Sequence, residues 1–394
     1  MNQIESLRPR LNQLQQRSLI IGVAGLVLCV VGAFISTEQF FRSYLMGYIF
    51  WIGLALGCLG VLMLHNLVGG AWGHVIRRVL ESGARTIPLM ALLFVPLLFG
   101  LHSLYEWTHE NVVAADKILQ HKEVYLNEPF FIGRAVFYFV AWIGMAWMIT
   151  RALRKLEQPG GEPMTRGLQN LSAASLLVFF LTATFAAFDW MMSLEPHWFS
   201  TVYGMLFITG SVLSTFAFAI AVLVLLMNAN PELKHRILPG YLHDLGNLLF
   251  AFTMFWAYIS ISQYLIIWSA NLPEEVTWYV KRTNGGWGVI SGVLLVVHFA
   301  LPFLLLLVRK NKRDAKMLSR VAVLVLVMRV VDVFWHIAPA FSHGHEPHFS
   351  FHWLDIVAPI GIGGIWLAMF LGQLKNAPTI LAVNAPLKKE EHHG

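Results

Sequence analysis

The chain has 394 residues, of which 57% are hydrophobic and 13% are charged. Because soluble globular proteins carry about 45–50% apolar and about 25% charged residues, this composition excludes soluble enzymes, disordered proteins and nucleic-acid-binding domains. The 28 basic and 22 acidic residues give a net charge of +6. In a multi-pass membrane protein such an excess reflects basic loops rather than affinity for phosphates.

Ten apolar stretches follow one another along the chain. A hydrocarbon core about 30 Å thick requires about 20 apolar residues in a helix. Such stretches occupy residues 18–36, 43–66, 86–105, 130–150, 168–193, 202–227, 245–269, 287–308, 318–339 and 353–374. The predicted fold class is therefore an all-α polytopic membrane protein with ten transmembrane helices, in a membrane domain that covers residues 18–374.

The segments before and after this domain are polar. Residues 1–17 predict an amphipathic segment, and residues 375–394 predict a tail. The first apolar stretch is too long for a cleaved signal peptide and has no small-residue cleavage site, so we interpret it as an uncleaved first span.

The two cysteines, Cys29 and Cys58, lie inside apolar stretches. They provide no CxxC pair, haem-attachment motif or Fe–S ligand set. Two small buried side chains are the favoured interpretation, and a disulfide between them is the alternative.

Lysine and arginine are distributed unevenly between alternate loops. One set of loops, which includes both chain ends, holds 21 of the 28, the other set holds five, and Arg134 and Arg329 lie inside spans. Because basic loops stay in the cytoplasm, we predict that both termini are cytoplasmic.

Two loops are longer than helix packing requires. Residues 69–84 predict a short amphipathic helix on the cytoplasmic surface, with Arg77, Arg78 and Glu81 on its polar face. Residues 106–128 contain five acidic residues and predict an outer cap or docking surface. An ordinary loop is the alternative for both.

The ninth span contains three ionisable residues on one helical face: Arg329, Asp332 and His336. Asp332 can pair with Arg329 three residues before it and with His336 four residues after it. Ionisable groups inside a bilayer cost about 2.5–3.5 kcal/mol each on insertion scales and are usually functional. A polar path is therefore one interpretation, and a buried ion pair that only fixes helix packing is the other.

Further polar residues lie in the other spans. Asp189 lies about one turn inside the outer end of the fifth span, and Arg134 is its natural counter-charge because it lies at a similar depth. The cytoplasmic half offers fewer groups, among them His243 and Asn247. The candidate proton path comprises Asp189, Arg134, Arg329, Asp332, His336, His298, His65 and Asp244. A polar cluster is predicted at the outer surface from His102, Glu106, Glu195, His197, His352 and Asp355.

No redox or metal cofactor is predicted in this chain, and no catalytic residue. Bis-histidine haem ligation needs two imidazoles at matched depth on facing helices, and no helix here carries two histidines in a haem-spanning arrangement. Five further histidines are interpreted as solvated loop residues rather than a metal site: His343, His345, His348, His392 and His393.

The fifth and ninth spans share a pattern. Each places an aspartate in its outer half, Asp189 or Asp332, with a tryptophan close behind and a proline at its exit. The fourth and eighth spans agree weakly, in IGRAVFYF and WGVISGVL. Since the paired spans lie four apart, we predict two four-helix bundles in parallel orientation, spans 2–5 (about 43–193) and spans 6–9 (about 202–339), with one flanking helix at each end.

Three segments carry a resemblance to a known family. They are FDWMMSLEPHWFSTVYG (188–204), FAFTMFWAYISISQYLIIWSANLPEE (250–275) and NGGWGVISG (284–292). These segments resemble the NrfD/PsrC family of integral membrane subunits, and the resemblance extends over nearly the whole chain. Within the family it is strongest to the second, shorter NrfD-like subunit of bacterial alternative complex III.

The resemblance implies a subunit of a respiratory quinol:cytochrome c or oxidase oxidoreductase in the bacterial inner membrane. It implies three partners: a homologous NrfD-like subunit that holds the better-attested quinol site, a multihaem c subunit and an Fe–S subunit. Haem c and Fe–S clusters are then expected in the partners, with quinone or quinol nearby, and this chain is expected to conduct protons. A role carries over to Asp189, which lies in a matched segment. A secondary transporter and a purely structural anchor of the complex are the alternative functions.

The predicted topology can be tested with reporter fusions. Fusions at residues 160, 232 and 314 are expected to read as cytoplasmic, because their loops are basic, and fusions at 118, 278 and 344 as outer. An outer reading at 314, in the loop with six basic residues, would overturn the ten-span prediction.

Overall fold

A computed structural model describes residues 5–156, 166–342 and 349–377. Every regular element in these ranges is a helix, and ten helical stretches are long and apolar enough to cross a membrane. The prediction of an all-helical chain with ten such stretches is confirmed, and this pattern is typical of a multi-pass membrane protein. The histidines at 343, 345, 348, 392 and 393 and the end of the predicted tail lie outside the described residues.

The main helices are α1 (Arg8–Ile35), α2 (Thr37–Val68), α3 (Ala71–Ala84), α4 (Ile87–Leu98), α5 (Glu128–Leu156), α6 (Arg166–Trp190), α7 (Tyr203–Ala229), α8 (Pro239–Ala270), α9 (Pro273–Thr283), α10 (Trp287–Leu307), α11 (Ala315–Ile337) and α12 (Leu354–Lys375). Within α10, Leu294–Ala300 form a π-helix. Short helical segments connect them at Leu101–Leu104, Glu106–Thr108, Glu110–Ala115, Lys117–Lys122, Met192–Leu194, Pro231–Arg236, Arg309–Arg313 and Ala338–Phe341.

The centre of the molecule is formed by α2 and α7, most of whose residues are buried. These two helices pack against each other; α2 also contacts α3, α4, α6 and α12, and α7 also contacts α6, α8 and α11. Long helices nearer the surface expose apolar side chains on their outer faces, such as Val140 on α5, Leu177 on α6 and Val289 on α10. An apolar outer surface of this kind is favourable against lipid rather than water.

Glycines bring α1 and α12 into backbone contact. A Cβ atom on Gly25 would lie 2.6 Å from the Cα of Gly361, and Gly22 faces Gly364 in the same way. Small residues allow this close approach between membrane helices. The glycine-rich tenth span is therefore explained by its packing against α1.

Two helix boundaries differ from those of the predicted spans. The first helix begins at Arg8, and Leu7 and Leu11 are buried, so the helix that contains the first span extends back through part of the polar N-terminal segment. In the third predicted span, 86–105, the continuous helix ends at Leu98, two residues after Pro96. A proline inside a helix removes a backbone hydrogen bond and favours such an ending.

The 69–84 segment does not lie at the surface with an exposed polar face, as the sequence predicted. The helix is present as α3, but Arg77, Arg78 and Glu81 are buried, because α3 packs against α2, α7 and α12. Arg77 Nε lies 2.9 Å from Glu81 Oε1, and an Arg78 guanidinium nitrogen lies 3.0 Å from Glu81 Oε2. An amphipathic pattern cannot distinguish a face turned to water from a face of paired charges.

The glycine contact predicts the effect of one substitution. Gly361→Leu is expected to lower the free energy of unfolding by about 2 kcal/mol, because its side chain would meet the backbone of α1. Gly144→Leu is the matched control, since nothing lies within 4 Å of a Cβ built there. The measurement is thermal unfolding in detergent, and equal transition temperatures for the two variants would contradict the prediction.

Candidate functional site

Two buried aspartates lie at one end of the molecule, here named the aspartate end: Asp189 near the end of α6 and Asp332 in the second half of α11. The 106–128 segment lies at the same end, since Lys122 Nζ donates a hydrogen bond to the Pro196 carbonyl at 2.5 Å and Asp116 Oδ2 lies 2.6 Å from His197 Nε2.

The Asp332 cluster consists of Arg329, Asp332 and His336. Arg329 and Asp332 form a buried ion pair, and His336 Nε2 lies 3.8 Å from Asp332 Oδ1. The helical spacing thus brings the three predicted side chains together. Gly210 on α7 makes room for the arginine, because a Cβ atom there would clash with the guanidinium group. A cavity of about 20 Å³ adjoins the cluster, Ser211 and Ser214, which is enough space for about one water molecule.

The Asp189 cluster joins α5 to α6. Arg134 binds the Asp189 carboxylate with two nitrogens, each 2.9 Å from an oxygen, so the predicted contact is present. The Tyr138 hydroxyl donates to the same carboxylate at 2.7 Å. Arg134 also donates to the Tyr125 carbonyl at 2.8 Å and lies over the Tyr125 ring at 3.8 Å. The carboxylate therefore has a fixed counter-charge and a neutral hydroxyl as neighbours.

A third buried charge pair at the aspartate end was not predicted. Arg282, at the end of α9, donates to Glu195 Oε2 at 2.7 Å and to the His336 carbonyl at 2.8 Å. Its guanidinium carbon lies 3.6 Å from the centre of the Trp278 ring. Arg282 thus connects the loop after α6 to the Asp332 cluster. One signal was available in the sequence: Lys281 and Arg282 are basic residues in a loop that the charge bias places outside.

The electrostatics of Glu195 follow from this contact. Burial alone would raise the pKa of the Glu195 carboxyl, but the charges of Arg282 and Lys281 outweigh it and hold the pKa below its ordinary value of 4.5. At the loop surface the hydrogen bond from His197 is the main cause that lowers the pKa of Asp116. Both carboxyls therefore stay ionised well below neutral pH.

The six residues predicted as one outer-surface cluster are separated. His102 lies 3.3 Å from Glu128 rather than beside Glu106, because its helix ends at Leu104. His197 pairs with Asp116 and Glu195 with Arg282. Asp355 accepts hydrogen bonds from the His352 backbone N–H at 2.8 Å and from Ser43 Oγ at 2.5 Å.

The tryptophans in the loops at the aspartate end are mostly internal. Trp107, Trp198 and Trp278 are buried, whereas Trp353 is exposed. Trp198 and Trp278 stack at 4.8 Å between ring centres. These rings fill the protein's own interior.

The three remaining candidates lie in different environments. His65 is buried, with Nε2 3.1 Å from the Gly70 carbonyl and its ring 5.0 Å from that of His74. His298 is fully buried in the π-helix against Trp256. The Asp244 side chain is 51% exposed, so it does not belong to a buried path.

Within the described ranges no three His, Cys, Asp or Glu side chains converge on a point that could hold a metal ion. Cys29 and Cys58 are both buried free thiols, as the favoured interpretation predicted. Comparison with protein-family models finds no match to the chain, and comparison with curated proteins finds none either. The resemblance to NrfD/PsrC subunits therefore stays a prediction.

The Glu195–Arg282 pair predicts a pH-dependent stability. Because the Glu195 pKa is lowered, its pairing stabilises the fold fully above pH 4.5 and is lost as the pH falls through the lower, folded-state pKa. Glu195→Gln is expected to cost about 3 kcal/mol at neutral pH, since it leaves Arg282 buried without its counter-charge.

The measurement is the thermal unfolding of both proteins in detergent over a pH series. Glu110→Gln serves as the control, because Glu110 is exposed at the same end. A gap between wild type and Glu195→Gln that persists unchanged down to strongly acidic pH would contradict the assignment.

Proposed function

We propose that the chain is a membrane subunit of a respiratory quinol:cytochrome c or oxidase oxidoreductase in a bacterial inner membrane. It holds no redox cofactor of its own, supports quinol oxidation by a homologous NrfD-like subunit and conducts protons at the aspartate end, which faces outward. Multihaem c and Fe–S subunits are its other partners. One observation carries this proposal: two buried carboxylates lie at the same end, each with an arginine and a second group that can exchange a proton.

The proposed arrangement in the bilayer is two four-helix bundles with a flanking helix on each side. Helix contacts support it. In the first half α2 contacts α4, α4 contacts α5, α5 contacts α6, and α6 returns to α2. In the second half α7, α8, α10 and α11 follow one another in the same way. The flanking helices α1 and α12 lie together against α2. In this arrangement the set of loops rich in lysine and arginine faces the cytoplasm, and both chain ends lie on that side.

The chemistry of the clusters supports proton exchange. A carboxylate in a low-dielectric region is costly unless a positive charge is near, and that charge keeps it from being permanently protonated. Arg134 and Arg329 fill this role. Tyr138 and His336 supply a hydroxyl and an imidazole beside the two carboxylates, and both kinds of group can pass a proton to or from a carboxylate.

The path we propose is open to the outer side only. Towards the other end the buried candidates are His298 and His65, which form no hydrogen bond with each other, while Asp244 is exposed. A continuous route through the inner half would require water molecules or a partner subunit.

Different structural features bear on the two alternative functions, the secondary transporter and the structural anchor. A secondary transporter should have interrupted helices at equivalent positions of its two halves. The glycine-rich helices α2 and α12 are continuous, and their glycines face neighbouring helices, which favours the proposed function. A purely structural anchor would use the same ion pairs only to fix helix packing.

We predict that Asp332→Asn and Asp189→Asn lower quinol:acceptor turnover of the assembled complex by about tenfold or more, because each removes a proton-exchanging group. Proton release into vesicles is expected to fall in parallel. Asp244→Asn is the control and should behave like wild type. If both variants assemble and keep wild-type turnover and proton stoichiometry, the relay is wrong.

A double variant separates the relay from the anchor function. Asp332→Asn leaves Arg329 buried without a counter-charge, which alone destabilises a protein. Arg329→Gln combined with Asp332→Asn removes both charges. If Asp332 relays protons, the complex with this double variant assembles but its quinol:acceptor turnover stays low. If the pair is only a structural anchor, the double variant recovers the turnover of wild type.

A further inference from the structure

The connection between α10 and α11, at the end opposite to the aspartate end, concentrates positive charge. Its short helix and the first turns of α11 carry six basic residues, which we name the basic patch: Arg309, Lys310, Lys312, Arg313, Lys316 and Arg320. No member of the patch forms an ion pair with a carboxylate in the described part of the chain. Elsewhere at this end basic residues do have such partners, as Arg236 has in Glu232 at 3.0 Å.

Lys312 is the buried member of the basic patch, with 9% of its surface exposed. Gly246 on α8 makes room for its stem, because a Cβ atom there would lie 2.8 Å from Lys312 Cγ. Its ammonium nitrogen lies 5.6 Å from the centre of the Phe250 ring and forms no hydrogen bond to a described residue. A buried charge is costly unless it is paired. An anion that reaches this ammonium group would therefore stabilise it.

Two exposed arginines lie close to the same point. The charges of Lys312, Arg309 and Arg313 all act on the His243 ring of α8, which places the three cations on the same side of that helix. The short helix that carries them packs against α8, so their positions are fixed relative to one another. Several cations that converge in this way fit the oxygens of a phosphate group.

An apolar surface begins directly beside the basic patch. Four exposed residues of α11 recur at helical spacing and so share one face of the helix: Lys316, Arg320, Val323 and Val327. This face is basic over its first two turns and apolar from the third turn onward. On α10, Leu304 precedes the patch and is also exposed. A ligand that covers the whole surface must be anionic at one end and apolar along the rest.

We propose that the basic patch binds the headgroup of an anionic phospholipid. The phosphate lies at Lys312, Arg309 and Arg313, and the acyl chains follow the exposed apolar faces of α10 and α11. Basic clusters beside membrane helices attract such headgroups through their charge. A soluble phosphate compound shares the headgroup chemistry but would leave the apolar faces uncovered. This site does not depend on the proposed respiratory function.

The test is photolabelling of the full chain, reconstituted in phosphatidylcholine vesicles with a trace of phosphatidylglycerol that carries a diazirine in one acyl chain. Peptides from 301–327 are expected to carry about tenfold more label than with a phosphatidylcholine probe of the same chains. Equal labelling by the two probes would overturn the proposal.

A competitor distinguishes the lipid from a soluble anion. Glycerol phosphate has the charged group of phosphatidylglycerol without its acyl chains. In excess on both sides of the vesicles, it is expected to leave the label in place. If it removes the label, the site binds a soluble phosphate compound and the lipid assignment is wrong.

A double variant tests the converging charges. Arg309→Gln with Arg313→Gln is expected to lower phosphatidylglycerol labelling about tenfold, to the level of the phosphatidylcholine probe. Arg8→Gln with Arg10→Gln is the matched control, because it removes two exposed arginines at the same end. Equal losses in the two double variants would mean attraction by net charge alone and would overturn a defined site, as would a first variant that keeps the wild-type ratio.

Lys312→Met gives an independent measurement, since it removes the ammonium group and keeps an apolar stem. In detergent without lipid, this variant is expected to unfold at or above the wild-type transition temperature, because the unpaired charge is gone. Added phosphatidylglycerol should then raise the transition temperature of wild type more than that of the variant. An equal rise in both proteins would overturn the placement of the phosphate at Lys312.

Discussion

The architecture depends on one electrostatic requirement: a charge removed from water needs a partner of opposite sign. Four sets of buried charges meet it here, at Glu81 with two arginines, at Asp189, at Asp332 and at Glu195. Removing one partner of such a pair costs about 3–5 kcal/mol, more than most apolar contacts supply. The pairs of Asp189 and Glu195 join different elements and so fix how these elements meet, and any function of the carboxylates has to operate within that constraint.

The pairs differ in what else they touch. The Glu81 set is closed, because both carboxylate oxygens face guanidinium groups inside α3. The Asp189 and Asp332 sets also touch a hydroxyl or an imidazole, and the Asp332 set borders two cavities. The same kind of ion pair can thus be fully satisfied within one helix in one place and leave room for proton or ligand chemistry in another. Arg282 links the Glu195 and Asp332 sets through the backbone of His336.

Features that depend on periodicity could be predicted from the sequence. Helical spacing alone brings Arg329, Asp332 and His336 together, and equal depth in adjacent spans was enough to pair Arg134 with Asp189. Predictions failed where a helix ends, or where tertiary packing determines which side chains are neighbours. His102 pairs with Glu128 and not with Glu106, because the helix stops between them. The polar face of α3 meets its own partners rather than water. Neither Gly210, which accommodates Arg329, nor the cavity between α8, α9, α10 and α11 leaves a periodic signal, because both depend on which helices lie side by side.

The glycine contact between α1 and α12 has a consequence for the order of the folding steps. The helix α1 lies along α12, which is synthesised much later, and Lys375 Nζ donates a hydrogen bond to Gln15 Oε1 at 2.6 Å. During synthesis, the glycines of α1 have no α12 to pack against until more than 300 further residues have been made. The sequence separation of these contacts makes the docking of α12 a late step of folding. A chain truncated before α12 would leave the α1 glycine face open to any other helix that offers small residues.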